Sequence, residues 1–193
     1  MRNFLISFFV RVGEKTYPRW YRLSSLFGTI TLIFFLLPLL FIYTGEYIER
    51  YINLHMPTFL INVIVSISLM LGVALLVWTL LLQYSYGQGS GSHMVPTQKL
   101  IVTGPYKICR HPMQLGAVFF YLGLVTALSS ITIGVYSALV TGLLGFFFNV
   151  FIEEPVLIIR FGKQYEQYQK DVPLVPFLFS GFNNSNWKHK PRN

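Results

Sequence analysis

The chain has 193 residues, 53% of them hydrophobic and only 11% charged, with a formal net charge of +8. Seven acids and fifteen bases cannot cover a soluble domain of this size, so the composition excludes an ordinary globular surface. The basic residues flank long apolar runs and form no single patch, which excludes a nucleic-acid footprint and suits a place beside an anionic membrane.

From the N-terminus, Arg2, Arg11, Lys15, Arg19 and Arg22 surround a short apolar stretch over residues 4–12. It is too short to span a bilayer, and no small-residue cleavage site follows, so a removable signal peptide is not expected. An interfacial helix ending before Pro18 is the reading; a disordered basic tail is the alternative. Residues 23–44 form a first span, with Pro38 inside it expected to kink the helix, which bilayer helices tolerate when a neighbour satisfies the freed carbonyl. A polar connection with Glu46, Glu49, Arg50 and Pro57 leads to a second span over residues 59–82.

Residues 83–112 are the long polar stretch of the interior and open on Tyr84-Ser85-Tyr86-Gly87-Gln88-Gly89-Ser90-Gly91. The run Gly91-Ser92-His93-Met94 has the look of a cloning scar but lies between natural segments and is taken as native. Residues 115–152 carry no charge. As one helix they would extend about 57 Å, nearly twice a hydrocarbon core. They are therefore expected to form a helical hairpin with two short legs, turning near Ser129-Ser130 or Gly134. Small residues at Gly123, Ala127, Gly142 and Gly145 would let the legs approach. From Glu153 onward the chain turns polar and aromatic, with a helix-like stretch before Pro173.

The expected fold is thus all-α, a polytopic membrane protein of about four spans in a single domain. Residues 1–22 form its basic N-terminus and 23–82 its first two spans. Residues 83–177 hold the polar loop, the hairpin and the segment after it, and 178–193 a polar tail. Fourteen of the fifteen bases fall in the N-terminal segment, the loop after the second span and the C-terminal segment. The positive-inside rule then sets both termini in the cytoplasm, in an inner, plasma or endomembrane. The two chemically rich segments, 83–112 and 153–176, converge on that face.

Ionisable residues at the edge of a hydrocarbon core are costly. Arg110-His111-Pro112 immediately precedes the hairpin and Glu153-Glu154 immediately follows it, so hairpin topology makes them neighbours. Two adjacent acids repel, and Arg110 is the nearest cationic partner. By itself this constellation reads equally as a salt bridge anchoring the hairpin.

Leu100-Ile101-Val102-Thr103-Gly104-Pro105-Tyr106, then Arg110-His111-Pro112-Met113 with Gly116, then Glu153-Glu154 with Leu157, then Phe161-Gly162, Tyr165 and Tyr168 before Pro173 and Pro176 make an ordered series. The series resembles the isoprenylcysteine carboxyl methyltransferase and phospholipid methyltransferase family of membrane enzymes, over roughly residues 87–177. The resemblance implies methyl transfer from S-adenosylmethionine to a lipophilic acceptor, isoprenylcysteine-like or phospholipid-like, at a cytoplasmic-face cofactor pocket. It implies Arg110, His111, Glu153 and Glu154 as the reacting centre. His111, Glu153 and Glu154 would also line the cofactor, together with Pro112, Gly116, Leu157, Gly87, Gly89, Gly104 and Tyr106. The tyrosine usual two residues past the RHP triplet is Gln114 here. A carboxylate acceptor needs no base, whereas an amine acceptor does and would call on His111.

Two other readings stand beside this one. Sterol reductases share an RHP-type element but use a nicotinamide cofactor and many more spans, and a catalytically silent relative could keep the fold for ligand binding. His55, His93 and His189 do not gather with His111, and lone Cys109 makes neither a disulfide nor a multi-cysteine zinc site, so no metal is expected. The Phe146-Phe147-Phe148 run reads as lipid-facing or packing surface. Tyr165 and Tyr168 read as anchors of an interfacial helix face.

Overall fold

In a bilayer every backbone N–H must find its partner within its own segment, so apolar runs of this length become helices. The computed structural model describes residues 2–90 and 95–176, and all regular structure among them is helical. The Gly91-Ser92-His93-Met94 run and the tail from residue 177, including His189, lie outside the described residues.

A short helix, α1 (Arg2–Glu14), comes first. Helices α2 (Arg19–Glu49) and α3 (Thr58–Ser85) follow, each long and apolar enough to cross a membrane. Then come α4 (Pro112–Leu128), α5 (Ile131–Phe161) and a polar helix, α6 (Lys163–Asp171). Helix α5 is also of spanning length, while α4 has 17 residues, about 25 Å at 1.5 Å per residue. This is an integral membrane protein. Phe35, Leu39, Met70, Leu81, Leu139 and Leu143 are exposed on the outer faces, where hydrocarbon is their natural solvent.

The expected kink at Pro38 takes the form of a π-helical turn over Leu32–Leu36, in which the Leu37 N–H bonds the Leu32 carbonyl. Proline has no N–H to offer, and the wider turn absorbs the loss. The Ile33 carbonyl, five residues before Pro38, instead accepts from the Tyr121 hydroxyl of α4 at 3.1 Å.

Helices α3 and α4 pack closest. A Cβ on Gly72 would strike the Phe120 backbone, and one on Gly123 would lie 2.9 Å from the Leu69 nitrogen. Small residues thus supply the close helix contact that membrane packing relies on. Phe41, Leu76, Phe120, Tyr121, Val125 and Ile133 form the buried core between α2, α3, α4 and α5. The hairpin turns at Ser129-Ser130, where the Ser130 hydroxyl caps α5 by accepting from the Ile133 N–H at 3.2 Å.

The second leg of the hairpin differs from expectation. It does not stop near residue 152 but continues through Glu153 and Glu154 to Phe161, so the two acids lie inside a continuous helix. The physical reason is a second π-helical turn, Asn149–Glu153, placed before Pro155 as the first is placed before Pro38. With the missing donor absorbed there, apolar Val156 to Ile159 carry the helix on.

Helix α1 is ordered and docked. Phe9 meets Phe148 edge to face with centroids 6.0 Å apart, and Arg160 donates to the carbonyls of Gly13 at 3.0 Å and Thr97 at 2.7 Å. The end of α3, the start of α4, the last turns of α5, α6 and α1 therefore share one end of the bundle. At the other end the Leu54 N–H reaches Thr132 Oγ1 at 2.9 Å, beside the hairpin turn.

Candidate functional site

Three local features bring the charged residues together. Pro112 occupies the first helical position of α4, where its fixed φ starts the helix without losing a bond, and His111 takes the N-cap position. The Arg110 N–H donates to the Pro173 carbonyl at 3.0 Å, which pins this approach to the chain beyond α6. The π-helical turn ends at Glu153, and the extra residue it inserts re-aims the acids toward α4.

Glu154 is buried and receives four donors. Its Oε1 meets His111 Nε2 at 2.9 Å and accepts from the Tyr165 hydroxyl at 2.8 Å. Its Oε2 takes the Arg110 guanidinium and the Gln169 amide. His111 Nδ1 stands 3.4 Å from Glu153 Oε2, so the ring bridges both carboxylates. The Glu153 side chain is 30% exposed and that of Glu154 10%.

The electrostatics follow from this bracketing. Burial by itself would lower His111, but the two carboxylates outweigh it and raise the imidazole to about 9. With a carboxylate oxygen facing each nitrogen, the ring is held as an imidazolium. Burial raises Tyr165, with the Glu154 charge adding to it, and raises Tyr106, with Glu153 adding to it. Burial also pushes the Cys109 thiol up to about 11, so it is an inert packing residue.

Tyr106 sits beside this cluster. Its hydroxyl accepts from Gln83 Nε2 at 2.8 Å, the same amide lies 3.7 Å from Met113 Sδ, and the Tyr106 carbonyl accepts from the Tyr168 hydroxyl at 2.6 Å. Arg110, His111, Glu153, Glu154 and Tyr106 are thus brought together.

The remaining candidates sit against other neighbours. The atoms closest to Gly87 and Gly89 belong to Thr97, Gln83, Ile101 and Val95, and those closest to Gly116 belong to Leu75 and Leu76 of α3. Gly104 has φ +61 and faces Trp78 and Leu82, a backbone shape that favours glycine. Pro112 is buried at the foot of α4, and Leu157 packs against the Tyr165, Tyr168 and Val172 cluster.

Three contributors were not foreseen, and one expectation is corrected. Tyr165 and Tyr168 are not interfacial anchors: both are almost wholly buried, and both hydroxyls serve this end of the bundle. Gln169 had no role assigned. The signal was present, since Tyr165 and Gln169 stand four apart on one face of α6. Gln114 points across the hairpin, where its amide donates to the Thr141 carbonyl at 2.6 Å and fills the space over Gly145.

The phospholipid methyltransferase family matches residues 59–164, more than half of the chain. A protein-S-isoprenylcysteine O-methyltransferase from Schizosaccharomyces pombe is 32% identical over 140 residues, covering 67% of this chain and 58% of that relative. The chain therefore spans less than two thirds of the length of that relative. No solved structure matches.

Proposed function

The chain belongs to the phospholipid methyltransferase family, and from that premise we propose that it transfers a methyl group from S-adenosylmethionine to the carboxylate of a lipid-linked acceptor. The observation that carries the choice of acceptor is the bracketing of His111 between Glu153 and Glu154, which leaves the imidazole no nitrogen with which to take a proton. An amine acceptor is protonated near neutral pH and must lose that proton before it attacks, so it needs a base of matched pKa. The buried phenols of Tyr106, Tyr165 and Tyr168 all sit above their ordinary value and supply none. The activity for which the Schizosaccharomyces pombe relative is named, O-methylation of an isoprenylcysteine, supports the same class of acceptor.

The residues present fit the methyl donor. Its ammonium suits a carboxylate of the Glu153-Glu154 pair, and its own carboxylate suits Arg110, whose Nε is buried without a hydrogen-bond partner. When bound, S-adenosylmethionine supplies a methyl on a sulfonium whose bonding pair returns to sulfur as the methyl leaves, so an anionic oxygen takes the methyl with no proton to remove. The residues of the chain then act by holding the two partners in line and excluding water, and positioning supplies most of the rate. Lys99, Lys107, Lys163 and the basic residues around α1 belong to the same end of the bundle, which supports a cytoplasmic site and cytoplasmic termini.

The test supplies methyl-labelled S-adenosylmethionine to the detergent-solubilised protein with either an S-farnesylcysteine acid or phosphatidylethanolamine. A base-labile methyl ester on the acid, with no labelled amine, is expected. Labelled phosphatidylethanolamine and no ester would overturn the choice of acceptor. Transfer to neither, with no binding of the nucleoside, would remove the methyl-donor reading itself.

A further inference from the structure

We infer that the groove between α1 and the last turns of α5 binds one anionic phospholipid, its phosphate at Arg11 and an acyl chain on the groove's apolar floor. This depends on neither the methyl donor nor the acceptor, because the groove lies apart from the acid cluster. Pro155 and Ile159 form its α5 wall, and Pro155 stands about 100° round the helix from Glu154. None of Arg110, His111, Glu153 and Glu154 lines it.

The first argument is shape and polarity. The groove has a volume of about 490 Å³, inside the range of roughly 300–1,000 Å³ found for small-ligand sites. Ile6 and Val10 of α1, with Pro155 and Ile159 of α5, make its floor apolar. Asn3, Ser7, Arg11 and Glu14 follow one another at helical spacing and give it a single polar edge. An apolar floor beside a polar edge suits an amphiphile. The volume holds a headgroup and the upper part of one chain, and the rest of the lipid stays in the bilayer.

The second argument is charge. Arg11 is exposed, and among the described residues its side chain has neither an ion pair nor a hydrogen bond. Glu14, the one acid lining the groove, interacts electrostatically with Arg160 of α5, which leaves Arg11 as the unbalanced charge. The Ser7 hydroxyl, one turn before Arg11, already donates to the Phe4 carbonyl at 2.9 Å. The guanidinium is thus the donor left for a phosphate, whose oxygens match its planar fork. Arg2, Lys15 and Arg19 keep the surroundings positive.

The third argument selects a lipid over a soluble phosphate. Phe4 and Phe8, four apart on a different face of α1 from the polar edge, are 72% and 41% exposed. A helix with exposed phenylalanines on one face and basic residues on another lies at the bilayer surface, so the groove opens where phospholipids are.

The test titrates the delipidated full-length protein in detergent with dioleoyl-phosphatidylglycerol or dioleoyl-phosphatidylcholine and counts bound lipid by native mass spectrometry. One phosphatidylglycerol per chain is expected, preferred about five- to tenfold over phosphatidylcholine at low salt. Arg11→Gln reduces that preference to about twofold or less, whereas Arg2→Gln, outside the groove, keeps it. Ile159→Ser weakens both lipids while the preference survives. Equal losses in Arg11→Gln and Arg2→Gln would mean diffuse surface charge and overturn the site, as would wild type with no preference. Ile159→Ser without effect would remove the chain from the groove. A doubled protein mass in place of a bound lipid would make a second copy the occupant.

Two further arms keep the site distinct from its parts. Glycerophosphoglycerol, the headgroup without chains, is expected not to compete at equal concentration, and competition would show that the apolar floor is unused. Phosphatidylglycerol should slow hydrogen exchange over residues 2–14 in wild type and leave it unchanged in Arg11→Gln. Unchanged exchange in saturated wild type would put the lipid elsewhere and overturn the assignment.

Discussion

The Tyr121 hydroxyl of α4 donates to the Ile33 carbonyl of α2 at 3.1 Å, and that carbonyl lies five residues before Pro38, which has no N–H to give it. The contact repairs a defect that proline creates within the bilayer, where water cannot do so.

The repair can be measured as a coupling. Tyr121→Phe should cost about 1–2 kcal/mol in thermal unfolding in detergent, the range for a membrane hydrogen bond. Pro38→Ala should shrink that cost, because an alanine N–H can serve the backbone and leave the hydroxyl redundant. A double-mutant cycle with strictly additive effects would show that Tyr121 does not answer Pro38.

The bracketed imidazole gives the protein a pH dependence of definite sign. His111 is raised from 6.5 to about 9, so the stability it contributes is fully present below about 6.5 and is lost as pH rises through about 9. The melting temperature should therefore fall from neutral pH toward about 9. His111→Gln should lower it at neutral pH and flatten that part of the curve. Cys109, itself pushed up to about 11, begins to ionise only beyond this window. A wild-type melting temperature constant across the window would contradict the imidazolium.

Much of this end of the bundle was legible in the sequence because hydrophobic runs of fixed length allow few arrangements. The uncharged stretch from 115 to 152 required a hairpin, and the hairpin brought Arg110 and His111 to Glu153 and Glu154. What stayed hidden depended on backbone detail. The π-helical turn before Pro155 let α5 run on to Phe161, whereas the charge pattern alone ended the span at the two acids. The reversal at Gly162 then buried Tyr165 and Tyr168, whose spacing on an isolated polar helix had suggested a membrane surface. Gly116 was carried in a motif beside reactive residues, yet its neighbours are Leu75 and Leu76, so the close approach of α3 is reason enough for a glycine there.

Gln114 offers a second membrane test. Its amide donates to the Thr141 carbonyl and lies where a Cβ on Gly145 would fall. Gln114→Leu should cost about 0.6–2 kcal/mol, the loss of one interhelical hydrogen bond. Gly145→Ala should cost about 1–3 kcal/mol by overpacking the seam, and the cost should shrink in Gln114→Ala, which vacates the same space. Equal penalties for Gly145→Ala in both backgrounds would mean that the two residues do not meet.

Arg160 fastens α1 to the spans. Its guanidinium donates to the carbonyls of Gly13, at the end of α1, and Thr97, in the loop after α3, and a Cβ on Gly13 would fall 2.6 Å from Arg160 Cζ. Arg160→Ala removes both donors, and Gly13→Ala pushes the guanidinium off its acceptors, so the two should act alike. Each should raise hydrogen exchange and proteolysis across residues 2–14 while the spans keep their protection. Arg160→Lys should restore little, because a single ammonium cannot reproduce the planar fork that reaches two carbonyls. Since both changes break one fastening, the double variant should be no worse than either single one. Release of α1 by Arg160→Ala with Gly13→Ala silent would mean that Thr97 alone carries the contact.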